Sequence, residues 1–316
     1  MKILIVKPSS FGDIVQAAPC ATALKQAYPD SEITWVVFSQ WEQLPLLFSD
    51  VDKVISWDRK AGVKGFFDTL KRVRQTEYDL ILDLQGLFRS GLLAFLAKGK
   101  IKIGAPGMKE LSGFMIKEVE PKKAKINATL RNLETVNYIT DKKFTPSIRI
   151  AGFSCEPILP AAIDGEFIAF LPFARGKGKD WGVKNYLALA HLLKEKYPQY
   201  NIIVLGSKDD FGKINKDCQN PCANVIDLCG KTGIKQLAAI LSKSKLSVGA
   251  DTGPMHLSCA LGVPSVFIFG ASDINETAPH IGRFTLFLNK ENPKDIEKIP
   301  PQRVFEGIER HIRNNM

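Results

Sequence analysis

The chain has 316 residues, 45% of them apolar, and a formal net charge of +10. That length suits two globular domains, each able to bury its own core, and no run of about 18 uninterrupted apolar residues is present to cross a membrane. The first residues enter a strand-like run with no cleavage pattern, so no signal peptide is expected; the expected compartment is the cytoplasm, with reduced thiols.

In chain order, the apolar run at residues 3–6 predicts a strand. The turn Lys7-Pro8-Ser9-Ser10-Phe11-Gly12-Asp13-Ile14 follows and opens a helix reaching to about Tyr28. Gly12 suits a tight turn and close ligand approach. Asp13 falls at the carboxyl end of the first strand, where open α/β sheets bind ligands, although a plain N-cap uses the same residue type. Strand-like runs at 33–38, 54–55 and 80–84 alternate with helical stretches at 65–74 and 127–138. Such alternation predicts βαβ units on a parallel sheet. Asp83 and Gln85 close the strand at 80–84, and Arg131 lies one or two turns into a helix, at a cleft or on a solvated face.

Around 145–160 the pattern loosens, with Pro146, Pro157 and Pro160. A second series follows: strands at 167–171, 201–205, 225–227, 246–248 and 265–269, with helices at 183–196 and 234–242. The expected division is a first domain over 1–155 and a second over 156–303, with an amphipathic helix from about 304 to the end. The fold class is therefore α/β, two doubly wound Rossmann-like domains whose strand ends face a cleft.

The segment Gly249-Ala250-Asp251-Thr252-Gly253-Pro254-Met255-His256 carries the most chemistry. A strand that ends in Asp-Thr-Gly-Pro and turns into a helix leaves free N–H groups at the helix start, a site for phosphate. The alternative is a capped helix with Asp251 or Thr252 as N-cap and Pro254 in the first turn. His256 is either structural or a contact to phosphate or a sugar hydroxyl. Phe173-Ala174-Arg175-Gly176-Lys177-Gly178-Lys179 is a glycine- and charge-rich loop able to wrap an anion. Gly230-Lys231-Thr232 is not a phosphate-binding P-loop, because the first glycine of that motif would fall at Val225; its plain reading is a helix entry capped by Thr232. Asp273 is a second cleft candidate or a turn residue.

Cys20 and Cys259 read as buried small hydrophobes. Cys218, Cys222 and Cys229 lack a paired Cys-x-x-Cys and a nearby His, so no zinc site is expected. Lys98, Lys100, Lys102, Lys109, Lys117, Lys122, Lys123 and Lys125 concentrate the positive charge, partly offset by Glu110, Glu118 and Glu120. Such a face serves an anionic membrane, an acidic substrate or only solvent; with no recognition motif beside it, nucleic acid is not an expected partner.

Several short motifs, in this order, resemble the ADP-heptose:lipopolysaccharide heptosyltransferase family over nearly the whole chain. They are Ser9-Ser10-Phe11-Gly12-Asp13, Asp83-Leu84-Gln85-Gly86, Asn127-Ala128-Thr129-Leu130-Arg131, Lys179-Asp180-Trp181, Gly230-Lys231-Thr232 and Asp251-Thr252-Gly253-Pro254-Met255-His256. The Ser-Ser-x-Gly-Asp form is closest to heptosyltransferase I. The resemblance implies a GT-B arrangement, with the acceptor on the first domain, the nucleotide sugar on the second and the final helix packed back on the first. It implies an inverting, metal-independent transfer without cofactor, from ADP-heptose to the Kdo region of a lipid A precursor. The enzyme would work as a peripheral protein at the inner leaflet of the cytoplasmic membrane.

In that reading Asp13 is the base. Lys179, Arg175, Asp251, Thr252, Gly253, His256, Lys231 and Thr232 hold the donor; Ser10, Gly12, Gln85 and Arg131 face the acceptor. Three positions depart from the family pattern: Ala174-Arg175 replace a hydroxyl pair, Gln16 stands for a frequent His, and Trp181-Gly182 replaces Trp-Pro. The alternatives are a nucleotide-sugar epimerase of the same two-domain plan, a heptosyltransferase II-type acceptor, and a nucleotide-binding protein without turnover; fold alone does not separate them.

Overall fold

The computed structural model describes residues 1–120, 126–152, 165–176, 178–216, 225–289, 292 and 295–313. Lys122, Lys123, Lys125, Pro157, Pro160, Lys177, Cys218 and Cys222 lie outside the described residues. The chain divides between Gly152 and Phe153 into two compact units, against the expected division after residue 155. Among the described residues no helix is long and apolar enough to cross a membrane.

The first unit contains β1 (Lys2–Val6), α1 (Phe11–Ala27), β2 (Glu32–Phe38), β3 (Lys53–Trp57), α2 (Gly62–Val73), β4 (Tyr78–Asp83), α3 (Phe88–Leu96), β5 (Gly99–Gly104), β6 (Lys117–Glu118) and α4 (Ala128–Thr140). Its six strands run parallel in the order β3-β2-β1-β4-β5-β6. β1 is central, and Ile3, Leu4, Ile5 and Val6 are all fully buried. A parallel strand covered on both faces reads as an unbroken apolar run, and this one does. β5, not expected from sequence, has the alternating segment Lys100-Ile101-Lys102-Ile103. Its lysines are accommodated locally: Lys100 pairs with Asp79 at 2.7 Å, and Lys102 donates to the Ala97 carbonyl at 2.8 Å.

The second unit contains β7 (Phe167–Leu171), α5 (Val183–Lys196), β8 (Asn201–Val204), α6 (Lys213–Lys216), β9 (Val225–Asp227), α7 (Ile234–Lys243), β10 (Leu246–Ala250), α8 (Gly253–Ala260), β11 (Ser265–Phe269), α9 (Ile274–Thr277), β12 (Phe284–Leu288) and α10 (Pro301–Arg313). Its sheet is also parallel, in the order β12-β11-β10-β7-β8-β9. Counted within the unit, this is the same 3-2-1-4-5-6 winding as the first sheet, the doubly wound order.

The final helix corrects the sequence expectation: α10 belongs to the second unit. Its apolar stripe, Val304, Phe305, Ile308 and Ile312, is buried in the same core cluster as Leu189, Leu193 and Phe287. Tyr197 at the end of α5 donates its hydroxyl to Glu309 at 3.0 Å. Gly307 lets the helix close on the sheet, since a Cβ there would meet the Phe287 ring at 2.3 Å. Ile308 is fully buried in this contact, so Ile308→Ala is expected to destabilise the protein by about 2–5 kcal/mol, the usual cost of a large-to-small core change. A urea unfolding curve followed by circular dichroism checks it.

Candidate active site

In each sheet the strand order reverses between two adjacent strands, and the loops leaving their carboxyl ends diverge, opening a ligand crevice. In the first unit those strands are β1 and β4, with Val6 opposite Asp83. Lys7, just past β1, is buried, and its Nζ donates to the Leu84 carbonyl at 2.8 Å. Ser9 N donates to Gln85 Oε1 at 3.1 Å, tying the two loops together.

Ser10 is the N-cap of α1, in extended conformation. Both its N–H and its hydroxyl donate to Asp13 Oδ2, at 2.9 and 2.7 Å. Asp13 is therefore not the N-cap; it stands one turn further in, half-buried, with Oδ2 fixed and Oδ1 accepting no hydrogen bond from the described residues. Burial pulls its carboxyl upward, but Lys7, the two Ser10 hydrogen bonds and Arg131 outweigh that and leave it below the ordinary aspartate value. Lys7 moves down in turn: burial lowers it, Asp13 and Asp83 draw it back, and Arg131 opposes them. Arg131 arrives on α4, which packs along α1 and is capped by Asn127, whose side chain accepts from Thr129 N. Gly12 lies in the first turn of α1 and is not among the positive-φ residues. The turn does not draw on a glycine's left-handed freedom.

Asp83 is fully buried beneath this turn. Its Oδ1 accepts the Gln85 and Gly86 N–H groups at 2.9 and 3.1 Å, and its Oδ2 accepts the Ser90 hydroxyl at 3.0 Å. Burial raises its carboxyl to about 6 despite those donors and Lys7. It shapes the loop that presents Gln85.

In the second unit the reversal lies between β7 and β10, with Leu171 opposite Gly249. Asp251 follows β10 and collects three partners: Lys179 Nζ and Ser272 Oγ at its Oδ2, 3.2 and 2.6 Å away, and His256 Nε2 at its Oδ1, 3.2 Å away. Burial pushes its carboxyl up, but the hydrogen bond and charge of His256, then Ser272 and Lys179, bring it down to about 2. Thr252 is the N-cap of α8, yet its side chain makes no capping bond, and its Oγ1 is buried without a partner among the described residues. That hydroxyl and the Gly253 N–H, which has no acceptor inside the helix, directly follow in sequence the Asp251 that Lys179 contacts.

The loop carrying Lys179 is held by close glycine contacts. Gly176 and Gly178 have φ of 117° and 74°, conformations that side chains disfavour. Ala271 N donates to the Gly178 carbonyl at 2.8 Å, and a Cβ on Gly270 would meet that carbonyl oxygen at 1.8 Å. Trp181 packs fully buried below, donating Nε1 to the Ile299 carbonyl at 2.9 Å. Gly182 has φ 89°, which a proline ring cannot adopt, so the Trp-Gly pair comes with its own backbone path.

The structure thus brings together Lys179, Asp251, Thr252, Gly253 and His256, and separately Ser10, Gly12, Asp13, Gln85 and Arg131. Ser272 was not anticipated; its neighbour Asp273 is the N-cap of α9, accepting from Asn275 N at 2.9 Å. Arg175 is exposed on the same loop as Lys179. Lys231 and Thr232 follow β9, the edge strand, two places from the reversal. Lys231 Nζ donates to the Asp227 carbonyl at 3.0 Å and lies 4.7 Å from the Phe211 ring centre. The N-cap of α7 is Gly233, not Thr232. No group of three or more metal-ligating side chains is assembled among the described residues.

Two parallel sheets of this winding, with helices between their strands, match the GT-B plan of nucleotide-sugar glycosyltransferases. The chain belongs to glycosyltransferase family 9 (heptosyltransferase), whose profile matches residues 67–302, and it is a glycosyltransferase enzyme. It is 26% identical over 298 residues to the lipopolysaccharide core heptosyltransferase OpsX of Haemophilus influenzae, covering 88% of this chain and 81% of that protein. Among solved structures it resembles E. coli ADP-heptose lps heptosyltransferase II at 22% identity, with a TM-score of 0.84 over 100% of this chain and 99% of the other. E. coli heptosyltransferase WaaC with ADP is similar at 22% identity, with a TM-score of 0.80 over 98% and 100%.

The Asp251 carboxyl is depressed on folding, so its contribution to stability is complete above the unfolded value of about 3.9 and is lost as pH falls toward about 2. Asp83 has the opposite sign: its raised carboxyl costs stability as pH rises from about 4 through about 6. The stability gap between wild type and Asp251→Asn should therefore narrow as pH drops from 4 to 2. The gap between wild type and Asp83→Asn should shift against the wild type from pH 4 to 6. Urea unfolding at a series of pH values measures both.

Proposed function

We propose that the protein transfers heptose from ADP-heptose to the Kdo region of a lipid A precursor, by one inverting displacement that needs no metal ion. The observation that carries this reading is Asp13: a carboxylate kept ionised by Lys7, Ser10 and Arg131, at the strand-order reversal of the first unit, with one oxygen uncommitted among the described residues. Family membership supplies the reaction class and supports the heptose donor.

The chemistry asked of these residues is limited. An acceptor hydroxyl oxygen forms a bond to the anomeric carbon as the bond from that carbon to the diphosphate oxygen breaks. One displacement from the opposite face inverts the centre. Asp13 takes the hydroxyl proton. A carboxylate of low basicity suffices, because the proton becomes acidic as its oxygen bonds to the electron-poor carbon. The negative charge passes to the ADP leaving group, where the Lys179 ammonium and the N–H groups opening α8 stabilise it. Arg175, Thr252, Gly253 and His256 complete the donor side, with Lys231 and Thr232 reaching it from the edge of the sheet. Ser10, Gly12, Gln85 and Arg131 form the acceptor side, where Arg131 suits an acidic sugar.

The same reading places the enzyme in the cytoplasm, peripherally bound to the inner leaflet, with an anionic lipid acceptor and no nucleic-acid partner. Of the clustered lysines, Lys98 and Lys109 are exposed, whereas Lys100, Lys102 and Lys117 already have local partners. Mass analysis of products from a panel of nucleotide sugars and a delipidated Kdo acceptor tests the donor and separates Kdo from heptose as the acceptor residue. Consumption of nucleotide sugar without acceptor would instead support the epimerase.

Asp13→Asn should lower kcat roughly a hundredfold or more, within the range for loss of a general base. ADP binding by the folded variant should change little; near-normal turnover would remove Asp13 from the role. Lys179→Ala should weaken ADP binding by about tenfold to a hundredfold, as expected for a charge-assisted contact. Calorimetric titration with ADP and UDP checks this, and unchanged ADP affinity or a preference for UDP would move the donor site elsewhere.

A further inference from the structure

α3 is apolar on both faces. Ser90, Gly91, Leu93 and Ala94 are buried, while Phe88 and Phe95, seven residues apart and so on one side of the helix, are 41% and 50% exposed. Against this helix sits a tip at residues 109–114, ending in a 3-10 turn, Ser112–Phe114. There Leu111 is 68% exposed and Phe114 89% exposed.

The tip is built rather than frayed. Lys109 N donates to the Gly86 carbonyl at 2.7 Å, Ser112 N to the Lys109 carbonyl at 3.0 Å and Phe114 N to the Leu111 carbonyl at 3.1 Å. Ser112 Oγ donates to the Gly86 carbonyl at 3.1 Å, and Phe88 N to Glu110 Oε2 at 3.2 Å. Gly91 lets α3 approach, since a Cβ there would meet Ser112 Cβ at 2.8 Å. Glu110 and Leu111 both have left-handed backbones, φ 55° and 64°. That conformation is costly for leucine and persists only where surrounding structure fixes it. Here the fixed result holds two large apolar side chains out in solvent.

Exposed cations occupy the same elements. Arg89 on α3 and Lys109 at the base of the tip make no ion pair with a described residue. Protruding apolar side chains with nearby unpaired cations fit the boundary between lipid headgroups and acyl chains of an anionic membrane. A protein partner would call instead for an extended complementary face of about 800 Å².

We propose that α3 and the 109–114 tip dock on an anionic bilayer, with Leu111 and Phe114 entering the headgroup–acyl boundary and Arg89 and Lys109 meeting lipid phosphates. The inference rests on the lipid-borne acceptor proposed above. The tip hangs from Gly86, next to Gln85, whose side chain holds Ser9 in the turn that leads to Asp13. Docking there brings the bilayer to the unit that carries the base.

The test is co-sedimentation of the full chain with phosphatidylcholine vesicles and with vesicles that also contain phosphatidylglycerol, at low and high salt. One variant combines Leu111→Asn, chosen because Asn tolerates the left-handed backbone, with Phe114→Ser; a second combines Arg89→Gln with Lys109→Gln. Wild type should sediment with anionic vesicles. The apolar variant should lose about tenfold or more of that partitioning, and the charge variant should lose binding mainly at low salt. Both should transfer to a delipidated acceptor as wild type does, and lose rate on a vesicle-borne one. Equal sedimentation of wild type and the apolar variant would overturn the proposal. So would a wild type that self-associates in sedimentation velocity, with the apolar variant monomeric and vesicle binding the same in both, for the occupant would then be a second copy. Vesicle binding needs neither donor nor acceptor sugar, so failure of wild type to transfer heptose would count against the functional reading alone.

Discussion

The arrangement of polar groups in both units depends on one constraint, the reversal of strand order beside the first strand of each sheet. β1 pairs with β2 on one side and β4 on the other, and β7 pairs with β8 and β10. Right-handed crossovers from such a central strand must leave in opposite directions. The chain ends at β1 and β4, and at β7 and β10, are therefore the places where loops part and backbone groups stay uncovered. Asp13 and Gln85 occupy one of these places; Lys179 and Asp251 occupy the other.

Three carboxylates at these reversals have different electrostatic fates, although burial pushes all three the same way. Asp83 receives three hydrogen bonds, two of them from neutral backbone amides, and remains raised at about 6. Asp251 receives a histidine, a hydroxyl and an ammonium, and falls to about 2. Asp13 is held below its ordinary value by a buried ammonium and the two donors of Ser10. The difference lies in the depth of burial: Asp83 is fully enclosed, so its three donors and Lys7 do not offset desolvation, whereas Asp13 and Asp251 are only partly enclosed and their donors and cations prevail. The two depressed carboxyls are those beside the proposed chemistry, and the raised one lies beneath a turn.

The sequence revealed most where one cause dominates. β1, β7 and β11 are uninterrupted apolar runs and were legible as buried parallel strands. β5 was hidden because its alternation is carried by lysines, which read as a charged stretch. α3 was hidden because large apolar residues lie on both its buried and its exposed sides, so no one-sided stripe marks a helical period. α10 was legible as a helix with one buried stripe, but a stripe does not name the surface it meets; Gly307 and its fit to Phe287 decided that. In the site, Asp13, Lys179, Asp251 and His256 stood out because each lies in a short motif at a strand end. Lys7 and Ser272 did not, because their importance comes from partners far away in sequence: Leu84 for Lys7, and Asp251 for Ser272.

The Lys179–Asp251 ion pair has a thermodynamic consequence. A phosphate that engages Lys179 in front of Asp251 competes with a carboxylate already seated there. Its affinity is the difference between two charge contacts, not the full strength of one. On the proposed donor assignment, an internal competitor of this kind would cap how tightly a spent nucleotide is held and favour turnover over product retention.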